Sequence, residues 1–248
     1  MRQAINVPVH SPSLALLGMV PVRAAIEFVS HKLTRRRPSV MGDGHPVVIF
    51  PGLATDGVAV APLRDHCQSL GYAAFDWARG YNTGPQGDVD AWLADLAAHV
   101  ANLLAIYDQP ATLIGWSLGG IYARELAKLL APGVRQVITI GTPFNAAADH
   151  TNVGWLFRLL SGSPGTLDLA LSKRLQTPPA MPTTSIYSRS DGVVAWQTCR
   201  HEKVSRFVQD IEIDGSHIGM GWNPATLRVV ADRLAQRPGH WRPYIDPV

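Results

Sequence analysis

Gly115-Trp116-Ser117-Leu118-Gly119-Gly120 stands at a junction in the chain. The apolar run Ala111 to Trp116 reads as a strand, and Leu118 to Leu130 reads as a helix. A serine in the turn between them is lifted above the end of a sheet. The backbone there bends so sharply that the flanking residues must be small, a demand met by Gly115 and Gly119. The hydroxyl also lies near the helix N-terminus, whose free N–H groups and dipole favour negative charge. The bland alternative is a tight turn with an inert serine, and the strand-then-helix setting argues against it.

The neighbouring segments repeat this strand–helix beat. Val47-Val48-Ile49-Phe50 is short and wholly apolar, as in a strand buried on both faces, and Pro51-Gly52 stops it. A helix over 58–70 ends at Gly71, and Ala73-Ala74-Phe75-Asp76-Trp77 is the next strand. Asp88 to Tyr107 places Trp92, Leu96, His99, Leu103 and Ile106 on one helical stripe. Gln136–Ile140, Thr184–Tyr187 and Ile211–Ile213 read as further strands. Asn223-Pro224 opens a last helix with Leu227, Val230, Ala231 and Leu234 turned inward. This alternation predicts an α/β fold, a mostly parallel sheet of about six strands flanked by helices with right-handed crossovers. The beat stalls over 144–180, which reads as an insertion into a domain spanning 46–236. Residues 1–45 form a helical N-terminal segment, and 237–248 form a tail.

A serine hydroxyl is a weak nucleophile at neutral pH. It needs a base, and the base needs an acid to orient it. The histidines beyond Ser117 are His150, His201, His217 and His240. His150 lies in the insertion, His201 in an expected helix, and His240 past the last helix. His217 follows a strand in the loop Gly215-Ser216-His217-Ile218-Gly219, and it is the candidate base. Asp191 follows the strand Thr184–Tyr187, with Gly192 allowing a sharp turn, and it is the candidate acid. Asp149 and Asp168 belong to the insertion, and Asp214 is too near His217 in sequence to be the usual partner. An acyl-transfer site also needs donors for an oxyanion. The N–H groups of Leu118 and of Leu53, in the loop after the first core strand, are the candidates.

Composition narrows the function classes. The 248 residues suit one large domain with a substantial core. Net charge is only +3, with 22 basic and 19 acidic residues, and no basic stripe is interleaved with aromatics, so nucleic acid is not an expected partner. Two cysteines, Cys67 and Cys199, make no metal framework by themselves and are expected to be free thiols. Leu14 to Val20 is too short to span a bilayer. With only Arg2 before it and no small-x-small cleavage site after it, this stretch is also a poor signal peptide, so a cytoplasmic location is expected. From Pro21, placed in a first helical turn, Val22, Ala25, Ile26, Val29 and Leu33 recur at helical spacing and run into His31-Lys32-Leu33-Thr34-Arg35-Arg36-Arg37. The favoured expectation is a helix packed on the domain. Peripheral membrane contact through 21–37 is the alternative.

Taken together, Pro51-Gly52-Leu53, Gly115 to Gly120, Asp191-Gly192-Val193-Val194 and Ser216-His217 resemble the α/β-hydrolase superfamily, particularly its bacterial lipases and esterases. The resemblance covers 46–236. Two departures stand out. Pro51 replaces the histidine that many such lipases carry before the oxyanion-loop glycine. Residues 1–45 look helical where the larger family opens with a hairpin, so a reduced sheet is expected. The resemblance implies hydrolysis of a small-molecule or lipid ester by Ser117, His217 and Asp191, with no metal or cofactor. It also makes 144–180 a cap over Ser117. Trp155, Leu156 and Leu159 in that cap, together with Trp116, are candidate substrate contacts, although the cap residues could equally serve packing. Acyl transfer or thioester cleavage would use the same groups. A non-catalytic, membrane-associated binding protein is the reading from a different class.

Overall fold

A computed structural model describes residues 9–34, 42–145, 169–202 and 205–246. Among these residues the chain runs α1 (Leu14–Thr34), β1 (Pro46–Phe50), α2 (Ala61–Ser69), β2 (Ala73–Asp76), α3 (Val89–Leu104), β3 (Ala111–Trp116), α4 (Leu118–Leu129), β4 (Val134–Ile140), α5 (Leu169–Gln176), β5 (Thr183–Tyr187), β6 (Val208–Glu212) and α6 (Pro224–Leu234). Short 3₁₀ turns cover Trp196–Cys199 and Gly219–Gly221. The six strands form one parallel sheet in the order β2-β1-β3-β4-β5-β6.

The period of two along the central strands builds two cores. Val48, Phe50, Leu113 and Val137 face one side, where they pack with α3 and α4. Val47, Ile49, Ile114 and Ile138 face the other, where they pack with α2 and α6. Every residue of β1 and β3 is therefore buried, which is why these strands read as apolar runs, with Thr112 the one polar side chain. Local signals fix the helix starts. The Asp88 side chain accepts the Ala91 N–H at 2.8 Å ahead of α3, and Asn223 accepts the Ala225 N–H at 2.8 Å ahead of α6.

The strand order reverses at β1. From β1 the chain steps outward to β2, then crosses to β3 on the other side of β1. Loops at the carboxyl ends of strands on either side of such a reversal diverge and leave a crevice. The loops after β1 and β3 carry Gly52-Leu53 and Ser117, so the topology itself brings these residues together.

Two expectations about elements are corrected. The last strand lies at Val208–Glu212 rather than Ile211–Ile213. Gln209, Asp210 and Glu212 make it look polar because it is an edge strand, and the tail covers it there. Gln209 donates to the Tyr244 carbonyl (3.0 Å) and accepts the Tyr244 N–H (2.7 Å). The N-terminal helix begins at Leu14 and carries Pro21 inside it, not in its first turn. Its apolar stripe also points the wrong way for packing. Val22, Ile26 and Val29 are exposed, while Val20 and Ala24 are buried.

At the amino end of the sheet, His45 joins the chain entering β1 to β3. Its Nδ1 bonds Asp43, and its Nε2 lies 2.9 Å from Thr112 Oγ1. Asp43 also accepts from Arg135 of β4 at 2.8 Å. Burial pushes the Asp43 carboxyl up, but hydrogen bonds from Arg135 and His45 outweigh it and hold the group at about 2, below its usual 3.8. A carboxyl depressed in the folded state stabilises the fold above its unfolded value, and that contribution is lost as pH falls through the folded value. Urea midpoints measured from pH 3.8 down to about pH 2 should therefore fall in the wild type. They should fall less in Asp43→Asn, and an identical acid slope in the variant would remove Asp43 from this role.

Candidate active site

Ser117 has φ 54° and ψ −123°, in the left-handed region that a side chain rarely adopts. Such a conformation costs about 1–3 kcal/mol and persists only where the surroundings enforce it. Its N–H donates to the Ile140 carbonyl at 2.8 Å, and its own carbonyl accepts the Gly120 N–H at 3.0 Å. A Cβ on Gly115 would collide with the Gly119 backbone, and one on Gly119 would collide with the Phe50 and Pro51 carbonyls. The two glycines thus let β1, β3 and α4 close tightly around the serine.

Three residues that the sequence singled out meet here. His217 Nε2 lies 3.1 Å from Ser117 Oγ, and His217 Nδ1 lies 2.6 Å from Asp191 Oδ2. The other Asp191 oxygen accepts the N–H groups of Val193 and Val194, both at 2.8 Å. Asp191 and His217 are buried. With the Nδ1 proton donated to the carboxylate, the Nε2 lone pair is left facing the serine hydroxyl. Trp116, a candidate substrate contact, precedes the serine directly. It is buried, and its indole N–H donates to the His217 carbonyl at 3.1 Å.

The other candidates sort clearly. Asp214 is exposed and bonds Arg23 and Ser190. His240 is exposed beyond α6. His201 follows the 3₁₀ turn rather than sitting in a helix. It is buried between Asp210 (2.6 Å from Nδ1) and Arg124 (2.8 Å from Nε2). Burial lowers its pKa, and with both ring nitrogens engaged it faces no hydroxyl nucleophile. His150, Asp149, Asp168, Trp155, Leu156 and Leu159 lie outside the described residues.

Leu118 is the first residue of α4, so its N–H has no acceptor within the helix. Leu53 follows Gly52, and a Cβ on Gly52 would stand 3.4 Å from Ser117 Cβ, so this loop runs directly against the serine. Asn82, which the sequence reading passed over, pins the loop. Its amide donates to the Pro51 carbonyl (2.9 Å), its backbone carbonyl accepts from Ala54 (2.8 Å), and its N–H donates to Thr55 (2.7 Å). An asparagine between Gly80 and Gly84 looks like any solvated turn, and only its full burial distinguishes it.

With this geometry in view, likeness to known proteins can be judged. The sequence profile of the family described as "Alpha/beta hydrolase family" matches residues 47–248. The chain belongs to that family. Similar solved structures include lipase B of Aspergillus fumigatus, with a TM-score of 0.60 and 17% identity over 85% of this chain and 58% of that one. A thioesterase domain from the curacin biosynthetic pathway has a TM-score of 0.53 and 15% identity over 79% and 93% of the respective chains. An α/β-superfamily hydrolase of Oenococcus oeni PSU-1 has a TM-score of 0.54 and 15% identity over 79% and 95%. At these identities the likeness is one of fold. No curated protein matches the chain.

In this α/β hydrolase the N-terminal helix bears on the site. The inner face of α1 grips the two loops that carry Asp191 and His217. Arg23 donates to the Ser190 carbonyl (2.7 Å), the Ser190 hydroxyl (2.9 Å) and Asp214 (2.9 Å). Glu27 accepts the Ser216 N–H (2.8 Å) and hydroxyl (2.9 Å), and Ser216 Oγ in turn accepts the Gly219 N–H (3.1 Å). Trp222 donates to the Ala24 carbonyl at 3.1 Å. Gly192 and Gly219 make room, since a Cβ on the first would strike the Leu16 carbonyl and one on the second would strike Glu27. These polar anchors explain why the apolar stripe of α1 faces outward. Nothing in the local sequence of α1 marks Arg23 and Glu27, whose partners lie more than a hundred residues away.

Both cysteines of the hydrolase are free and buried. Burial pushes the Cys67 thiol up to about 12, and burial with the nearby Asp191 charge pushes Cys199 well above its usual range, so neither is a thiolate nucleophile near neutral pH. Among the described residues no helix is long and apolar enough to cross a membrane.

The Glu27 contact can be checked directly. Ser216 is fully buried, so removing its acceptor leaves a buried N–H unsatisfied, at a cost of about 1–3 kcal/mol. Glu27→Ala should lower the unfolding free energy by about that amount, and Glu27→Gln by less, because the amide oxygen still accepts. Equal denaturation midpoints for Glu27→Ala and wild type would show the contact to be idle.

Proposed function

We propose that this α/β hydrolase is a serine carboxylic ester hydrolase working through an acyl-enzyme. The observation that carries this reading is the continuous hydrogen-bond chain Ser117 Oγ–His217–Asp191. Ser117 Oγ attacks the ester carbonyl while His217 Nε2 takes its proton, and Asp191 holds the imidazole in the tautomer that can accept it. The tetrahedral oxyanion is held by the N–H groups of Leu118 and Leu53, the former aided by the dipole of α4. His217 then returns the proton to the leaving alcohol. Water, deprotonated by the same imidazole, attacks the acyl-enzyme and frees the acid.

Asn82 has a supporting part in this scheme. It fixes the backbone of 51–55, and a donor must be held where the oxyanion forms, since losing one costs about 3 kcal/mol in comparable enzymes. The cap expected at 144–180 belongs to the same reading, with Trp155, Leu156 and Leu159 meeting the acyl chain.

The test is turnover of aryl esters with acyl chains from short to long. Ser117→Ala should abolish hydrolysis with the circular dichroism spectrum unchanged. Asp191→Asn should lower kcat by about 10⁴-fold, as the same change does in another enzyme of this geometry. Turnover retained in Ser117→Ala would overturn the assignment. A mild Asp191→Asn would transfer the acid role elsewhere. Added alcohol competing with water for the acyl group would identify acyl transfer instead of hydrolysis.

A further inference from the structure

The outer face of α1 has no role in the scheme above. Leu14, Met19, Val22, Ile26 and Val29 project from it and are 50–85% exposed, although the helix is firmly seated by its other side. At 100° per residue these five fall within one sector, on the side opposite Val20, Arg23, Ala24 and Glu27. Five large apolar side chains in one sector are more than the scattered apolar residues a soluble surface ordinarily carries.

Along α1 itself the outward-facing charge is basic. Glu27 is the only acidic residue of α1, and it is turned inward to Ser216. Lys32 is exposed at the carboxyl-terminal end of the helix, and the sequence continues into Arg35, Arg36 and Arg37. An apolar face on a helix whose outward charge is basic suits the headgroup boundary of an anionic bilayer. The side chains enter the acyl region there, and the cations meet lipid phosphates.

We infer that α1 is a peripheral membrane anchor that lays the face bearing Met19, Val22, Ile26 and Val29 into an anionic lipid surface. The inference stands apart from the hydrolytic reading, because it uses the outer face and that reading uses the loops gripped by the inner one. The two are coupled in space. Arg23 and Glu27 bond the loops of Asp191 and His217, so a docked α1 fixes the orientation of Ser117 to the bilayer.

The experiment is co-sedimentation of the full chain with vesicles of phosphatidylcholine alone and of phosphatidylcholine mixed with phosphatidylglycerol. Binding to the anionic vesicles should exceed binding to the neutral ones by at least about tenfold, and should weaken with salt. The triple variant Val22→Glu, Ile26→Glu, Val29→Glu changes only exposed positions. It should lose at least about tenfold in binding while its circular dichroism and its ester turnover in free solution stay unchanged. Failure of the wild type to sediment with either vesicle would overturn the inference, as would undiminished binding by the triple variant. A dimer that dissociates in the triple variant, with no lipid binding, would assign the face to a second copy of the chain and overturn it equally.

Discussion

Everything in the candidate site hangs on the backbone of one residue. Ser117 holds a conformation that an isolated peptide would leave at once, at a cost of about 1–3 kcal/mol. The cost is met by close packing on three sides. The Ile140 carbonyl takes the serine N–H, the carbonyls at the end of β1 press against Gly119, and α4 is buried along nearly its whole length. With the turn fixed, the hydroxyl can point in only one general direction, and the loops after β5 and β6 need only deliver an acid and an imidazole to it.

Three Asp–His pairs among the described residues show how much the setting decides. His45 between Asp43 and Thr112 even reproduces the carboxylate–imidazole–hydroxyl order. But Thr112 is fully buried at the amino end of the sheet, and its hydroxyl also accepts from Gln136. His201 between Asp210 and Arg124 meets a cation where a nucleophile would have to be. Only His217 presents its second nitrogen to a hydroxyl at the end of the sheet where the crevice forms. The same local chemistry serves packing in two places, and topology sets the third apart.

The sequence showed the sheet well because its central strands are buried on both faces, and such strands are written largely in apolar and small residues. It showed Ser117, Asp191 and His217 because each sits in a turn that follows a strand and needs glycine nearby. It showed least where partners are remote. Asn82, Arg23 and Glu27 form their contacts with segments far along the chain, and a polar residue facing a loop looks the same in sequence as one facing water. The stripe on α1 was legible as a stripe, but the sequence alone could not say which side the body of the protein would take. Two hydrogen-bonding charged side chains, Arg23 and Glu27, and two missing Cβ atoms turned the helix over. The edge strand β6 was misplaced for a related reason, since its polar residues are satisfied by remote partners: Gln209 by the tail, Asp210 by His201 and Glu212 by Arg189.

Trp116 occupies the first free position of the motif around Ser117, a place usually regarded as open to any residue. Here its indole reaches the carbonyl of His217, 101 positions further on. The residue just before the hydroxyl therefore works as a gauge. The strand that sets the height of the serine also sets, through one ring, how near the imidazole loop can come. In this chain the variable letter of the motif spells out a distance.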